Sequence, residues 1–175
     1  RADWREAWNL FPGVVAYIWH GALHAATVQQ SLAAAGFGVR AQIIWVKTRP
    51  VIGRGHYHWQ HEPALYAVRE GGKGHWSGDR QQSTVWQISH LKSESAHSTQ
   101  KPVEAMRRPV LNNSMVGDMV YDPFLGSGTT LIACEMEDRR CFGMEIAPRY
   151  ADMTVKRWER FTGRKAERRP AEGGT

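Results

Sequence analysis

At 175 residues and 42% apolar content the chain is long enough for one domain with a sizeable core. It has no apolar run near the roughly 20 residues that span a bilayer and no signal-peptide pattern, so a cytoplasmic protein with no membrane partner is expected. Its 23 Lys and Arg against 17 Asp and Glu leave a formal charge of +6, the balance of a domain that works near phosphate backbones, and its two cysteines, Cys134 and Cys141, are too few for a disulfide framework or a four-ligand zinc site.

Arg1 is not a methionine and is not expected to be a native start. In the opening "ADWREAW", Asp3 and Glu6 have the spacing of a capping box ahead of a helix carrying Trp4, Ala7, Trp8 and Phe11. "VVAYIW" is a continuous β-branched and aromatic run, which predicts a strand buried on both faces. From Leu23, apolar residues recur at helical spacing through Val28 and Leu32 to Ala35, and Gly36 is placed to end that helix in the left-handed conformation. "AQIIWVK" and "ALYAVR" are strand-like, and the loop "TRPVIGRGHYHWQHE" between them allows antiparallel pairing.

Residues 70–99 are rich in Gly, Ser, His and Gln and contain one short candidate strand, "TVWQI". Lys73, His75, Trp76, Arg80, Trp86, His90 and Lys92 interleave bases with aromatics there, a pattern suited to backbone contact and base stacking. Pro102 is placed to open a helix that Pro109 is expected to kink or end. "MVYDPF" then reads as a strand, "TTLIACEME" as a helix, "CFGMEI" as a strand and Pro148 to Phe161 as a helix. This alternation is that of a doubly wound, Rossmann-like α/β sheet, mostly parallel with one antiparallel strand.

The stretch "VYDPFLGSGTT" is a strand, a glycine turn and a helix start. Such a turn brings main-chain N–H groups and a helix N-terminus to a polar ligand. It lacks the lysine of a phosphate loop and the third glycine of a nicotinamide fingerprint, and a glycine pair alone serves equally as a bare structural turn. The acids favour a ligand. Asp122 precedes the turn, and Glu145 closes the next strand where a carboxylate takes ribose hydroxyls. A ligand with a ribose, a positive centre and a polar tail suits both, and S-adenosylmethionine is one. The histidines of "HYHWQHE" are less suggestive. In a strand His56 and His58 share a face while His61 points away, so no common metal is expected.

"HSTQKPVEAMRRPV" followed by "VYDPFLGSGTTLIACEMEDRRCFGMEI" resembles the β-class amino-methyltransferases of DNA, and the resemblance extends over nearly the whole chain. It implies that Lys101 and Pro102 border the methionine end of S-adenosylmethionine, that Asp122, Phe124, Gly126, Ser127, Gly128, Thr129 and Thr130 form its pocket, and that Glu145 holds the ribose. It places Arg49, Arg54, His56, Tyr57 and His58 beside double-stranded DNA with the target base flipped out. It makes residues 1–163 the C-terminal portion of a methyltransferase domain, with a short target-recognition segment at 70–98 and a flexible tail at 164–175. The implied activity is site-specific methylation of adenine N6 in DNA, as in restriction-modification; cytosine N4 methylation, and a non-catalytic cofactor- or DNA-binding module or one half of a split enzyme, are the alternatives.

One departure stands out. The family's Asp-Pro-Pro-Tyr or Ser-Pro-Pro-Tyr motif is absent, since the sequence has no Pro-Pro pair, so no catalytic residue is assigned. The motif is expected on a strand beside the one entering Asp122, supplied by an upstream segment of the same polypeptide or by a partner copy.

Overall fold

The computed structural model describes residues 2–89 and 100–169. In chain order the elements are α1 (Arg5–Leu10), β1 (Val15–Trp19), a short turn of 3-10 helix (Ala22–His24), α2 (Ala25–Ala34), β2 (Phe37–Val51), β3 (Trp59–Arg69), β4 (Val85–Gln87), α3 (Val103–Asn113), β5 (Met119–Asp122), α4 (Thr129–Met136), β6 (Arg140–Gly143) and α5 (Pro148–Thr162). No helix among the described residues is long and apolar enough to cross a membrane.

Four strands pair in the order β1-β3-β2-β4. β3 is antiparallel to β1 and β2, and β4 is parallel to β2, so β3 alone runs against the others, as expected. β5 and β6 form a separate parallel pair. Alternating side chains build two cores on opposite faces of the larger sheet. Ile18, Leu65, Ala67 and Phe37 meet Val28 and Leu32 of α2 on one face. Ile43, Trp45, Ala64 and Trp86 meet Ala105 of α3 on the other. β2 feeds both cores because its register against β3 shifts between Val39 and Ala41. The extra residue moves the inward positions from Phe37 and Val39 on one face to Ile43 and Trp45 on the other.

Among the described residues no strand pairing joins the two sheets: β1 pairs only with β3 and β5 only with β6, and a cavity of about 650 Å³ lies between the facing edges. Aromatic and helical contacts hold the halves together instead. Phe11 stacks on Tyr121 at 6.1 Å, α3 packs on α4, Arg107 pairs with Glu137, and the Arg139 guanidinium donates to the Ser114 carbonyl at 2.6 Å.

Several sequence expectations change. Asp3 and Glu6 form no capping box: Trp4 is the N-cap, and Asp3 instead accepts from the Arg5 amide and guanidinium. β1 is only partly buried, with Ile18 its one buried residue, because its far edge opens on the cavity. β2 and β3 reach farther toward each other than predicted, although Pro50 falls within β2; pairing there is already irregular, which suits a residue without an N–H. Pro102 is the N-cap of α3 rather than its first residue, and Pro109 does not end the helix. Burial of Ala105, Val110 and Asn112 against the core outweighs a proline penalty of about 3 kcal/mol. β6 stops at Gly143, so Glu145 lies two residues past the strand it was expected to close.

Arg69 closes the sheet at the start of β1. Its guanidinium donates to the carbonyls of Gly13 (3.1 Å), Ala35 (3.3 Å) and Phe11, and lies 4.2 Å over the Phe37 ring. Arg69→Met retains the stem but strands three carbonyls, and is expected to cost at least about 2 kcal/mol. In a thermal melt this corresponds to a midpoint lower by about 4–8 °C.

Candidate functional site

The chain leaves β5 at Asp122 and reverses direction before α4. Asp122 fixes the exit, its Oδ1 accepting from the Phe124 amide at 2.9 Å and its Oδ2 from the Thr130 hydroxyl at 2.6 Å. Gly126 (φ +56°) and Gly128 (φ +78°) both adopt the left-handed conformation. A Cβ on Gly128 would also lie 2.7 Å from Thr154 Cγ2, so this position is closed to side chains twice over.

Glu145 acts as a strut under the turn. Its Oε2 accepts from the Gly126 amide and its Oε1 from the Ala147 amide, both at 2.8 Å. The other side is clamped by α5. The Thr154 hydroxyl donates to the Gly126 carbonyl at 2.9 Å, and Arg157 Nη1 donates to the Ser127 carbonyl and to Thr129 Oγ1, each at 3.1 Å. Burial lowers the Arg157 pKa from its ordinary value. Thr129 Oγ1 in turn donates to the Lys101 carbonyl at 3.4 Å.

Seven of the predicted residues line the cavity between the sheets: Lys101, Asp122, Phe124, Gly126, Ser127, Thr129 and Thr130. Pro102 and Gly128 do not line it, serving instead as N-caps of α3 and α4, and Glu145 reaches it only through Gly126. The opposite wall holds residues that sequence reasoning missed. Trp4 and Trp8 of α1 meet the half-exposed Phe124 ring edge-on at 4.7 and 6.3 Å. Trp19 and His20, at the end of β1, also line the cavity, and their Nε1 and Nε2 atoms are buried without a partner among the described residues.

A second constellation lies beside Lys101. Glu62 of β3 bridges Lys47 of β2 at 2.7 Å and Lys101 at 2.8 Å. Burial alone would raise the Glu62 carboxyl, but the attraction and hydrogen bonds of Lys101 and Lys47 outweigh it and hold the group below its ordinary value.

The hairpin residues Arg49, Arg54, His56, Tyr57 and His58 are all exposed, and none lines the cavity. They gather at the tip of the β2–β3 hairpin, where the His58 ring accepts from the Gly53 amide at 3.3 Å. In the following segment Lys73, His75, Trp76 and Arg80 are exposed, whereas Trp86 is a core residue at 3% exposure and not a stacking platform. β4 pairs with β2 and turns the indole inward, against Trp19 and under Arg108. His90 and Lys92 lie outside the described residues. Reciprocal Gln82–Asn112 bonds and the bond from Ser77 to the Leu111 carbonyl tie this segment to the end of α3.

A sequence profile described as DNA methylase, covering N6 and N4 enzymes, matches residues 18–156. Type II methyltransferase M.Cfr9I of Citrobacter freundii is 33% identical over 144 residues, covering 70% of this chain and 45% of the relative. Type II methyltransferase M2.MboI of Moraxella bovis is 28% identical over 151 residues, covering 78% of this chain and 55% of the relative. The chain thus spans about half the length of these relatives. Among solved structures, the M1.HpyAVI–SAM complex superimposes with a TM-score of 0.73 at 28% identity, covering 84% of this chain and 75% of that one.

Gly128→Ala tests the turn. Forcing a side chain into the left-handed region costs about 1–3 kcal/mol before any contact with Thr154 is counted. A urea titration of the variant is expected to show at least that loss.

Proposed function

Because the chain belongs to the DNA methylase family, we propose that it is the cofactor-holding and DNA-facing portion of an S-adenosylmethionine-dependent DNA amino-methyltransferase. The observation that carries this reading is the cavity whose floor is the glycine turn and whose walls are acidic, aromatic and cationic. Its volume, about 650 Å³, lies within the range of small-molecule sites. The unpartnered Trp19 and His20 nitrogens that line it are buried polar atoms of the kind that a polar ligand satisfies.

In this reading Asp122 and Phe124 border the cofactor, and Gly126, Ser127, Thr129 and Thr130 bring backbone and hydroxyl groups against it. Gly128 shapes the turn from behind. Lys101, with Pro102 capping the following helix, borders the methionine end. Glu145 stands behind the Gly126 amide rather than in the cavity lining, and in this reading it holds the ribose where the cofactor extends past Gly126, through acceptor capacity left after its two amide bonds, since a carboxylate offers about four lone-pair sites. S-adenosylmethionine supplies a methyl group activated on a sulfonium. The residues of this chain bind and orient; rate comes from holding the attacking amino group in line with that methyl.

The target base is flipped out of the duplex, and adenine N6 is the preferred acceptor, with cytosine N4 suited to the same scaffold. Arg49 and Arg54 at the hairpin tip meet phosphates, while His56, Tyr57 and His58 stack near the extruded base. Residues 70–98 serve as a short recognition segment. The acceptor motif for the amino group lies on an extended segment from outside these 175 residues, seated between β1 and β5. Two facing strand edges that have no further strand partner among the described residues support this seating, because natural proteins cover such edges.

Calorimetric titration with S-adenosylmethionine tests the pocket. Asp122→Ala and Glu145→Ala are each expected to lose on the order of 1.5–3 kcal/mol, and unchanged affinity in both would end the assignment. Transfer of labelled methyl to unmethylated DNA by the complete gene product tests the activity. DNA affinity is expected to fall linearly on a log–log plot against salt, with a shallower slope in Arg49→Ala and Arg54→Ala; binding indifferent to salt would point to another substrate.

A further inference from the structure

Glu62 joins parts of the fold that are far apart in sequence. Lys47 lies on the strand that runs out to the hairpin tip, and Lys101 immediately precedes the N-cap of α3. Each ammonium also sits over an indole, Lys47 at 5.5 Å from the Trp45 ring and Lys101 at 5.4 Å from the Trp19 ring. The carboxylate therefore holds two cations against two aromatic faces at once.

This arrangement is poorly explained as a stabilising device. All three side chains are only partly withdrawn from solvent, with 20% exposure for Lys47, 25% for Lys101 and 32% for Glu62. Pairs of this kind contribute little when exposed, and burial adds a desolvation cost that offsets the attraction. What the bridge does determine is direction. A lysine has a flexible four-carbon stem, and without a partner the Lys101 ammonium would sample many positions. With Glu62 in place it is fixed at the cavity wall, while the Lys101 carbonyl receives the hydroxyl of Thr129, the first residue of α4.

We propose that Glu62 is a positioning residue that orients the Lys101 ammonium at the wall of the cofactor cavity and, through Lys47, couples the β2–β3 hairpin to that cavity. The proposal rests on the reading of the cavity as the S-adenosylmethionine pocket. Glu62 itself does not line the cavity and acts through Lys101.

The test is a double-mutant cycle on the complete gene product, read as the dissociation constant for S-adenosylmethionine, with a thermal melt of each variant. Glu62→Gln is expected to weaken binding about tenfold with little change in melting midpoint, corresponding to about 1.4 kcal/mol of orientation. Lys101→Met is expected to weaken it at least as much. The double variant is expected to bind no more weakly than Lys101→Met alone, because Glu62 has nothing left to orient. Wild-type affinity in Glu62→Gln, or additive losses in the double variant, would overturn the proposal, as would a lowered melting midpoint with cofactor binding intact. Glu62→Asp keeps the charge and shortens the reach, so it serves if Glu62→Gln does not fold; it is expected to bind severalfold more weakly, and wild-type affinity there is equally adverse. If wild-type protein fails to bind S-adenosylmethionine at all, the pocket reading fails and this proposal falls with it, an outcome distinct from a Glu62 variant that binds normally beside a defective Lys101→Met.

Discussion

A chain reversal through two left-handed glycines is the constraint on which the site depends. Glycines give the turn its reach but no means of holding its shape, since they carry no side chains and the largest conformational freedom to lose. The shape is imposed from outside. Asp122 grips the entry, Glu145 props the Gly126 amide, and Thr154 and Arg157 of α5 take the Gly126 and Ser127 carbonyls. The Phe124 and Gly126 amides and the Gly126 and Ser127 carbonyls are thus fixed by partners in β5, the segment after β6, and α5. A long helix whose contribution to the core is modest acquires a role in this way: its second and third turns are part of the pocket's frame.

The two halves of the fold meet this frame from different sides. The larger sheet delivers Trp19 and His20 at the end of β1, and α3 delivers Lys101 from its N-terminal approach. The smaller sheet delivers Asp122 and the turn. Because no strand ladder among the described residues crosses between them, their relative placement rests on α3 against α4, on the Arg107–Glu137 and Arg139–Ser114 contacts, and on aromatic pairs contributed by the two caps of α1. These are contacts of side chains and helix faces, which adapt more readily than a ladder of backbone hydrogen bonds.

How much of this could be read in advance follows from sequence separation. The glycine turn was legible because its acid, aromatic, glycines and hydroxyls fall within eleven consecutive residues, and the alternating strand and helix patterns around it were strong. Thr154 and Arg157 were not, since they act 28 to 30 residues away and look like ordinary members of an amphipathic helix. Glu62 and Lys101 are farther apart still, and nothing local to either predicts the other. Trp86 sits among polar residues that suggest exposure, yet β4 pairs with a central strand, and tertiary pairing rather than neighbouring composition decides its burial. The extent of the hairpin was hidden by Pro50 and the glycines, which read as breakers until the irregular pairing that accommodates them is seen.

The register shift in β2 carries an evolutionary implication. A strand of constant parity can tolerate a matched insertion and deletion at its ends, because each side chain returns to its original face. β2 changes phase at Arg40, ahead of a second irregularity between Val46 and Val51, so the stretches on either side of Arg40 obey opposite parity rules: Phe37 and Val39 belong to one core, and Ile43 and Trp45 belong to the other. Loss of Arg40 would leave a regular ladder with the same cross-strand partners, whereas loss of Gln42 or Ile44 would turn Trp45 toward the wrong core. Length variation is therefore tolerated at the unpaired Arg40 and at the hairpin tip, where exposed residues can be gained or lost without a phase error, and the tip is the part of the strand pair best able to diversify.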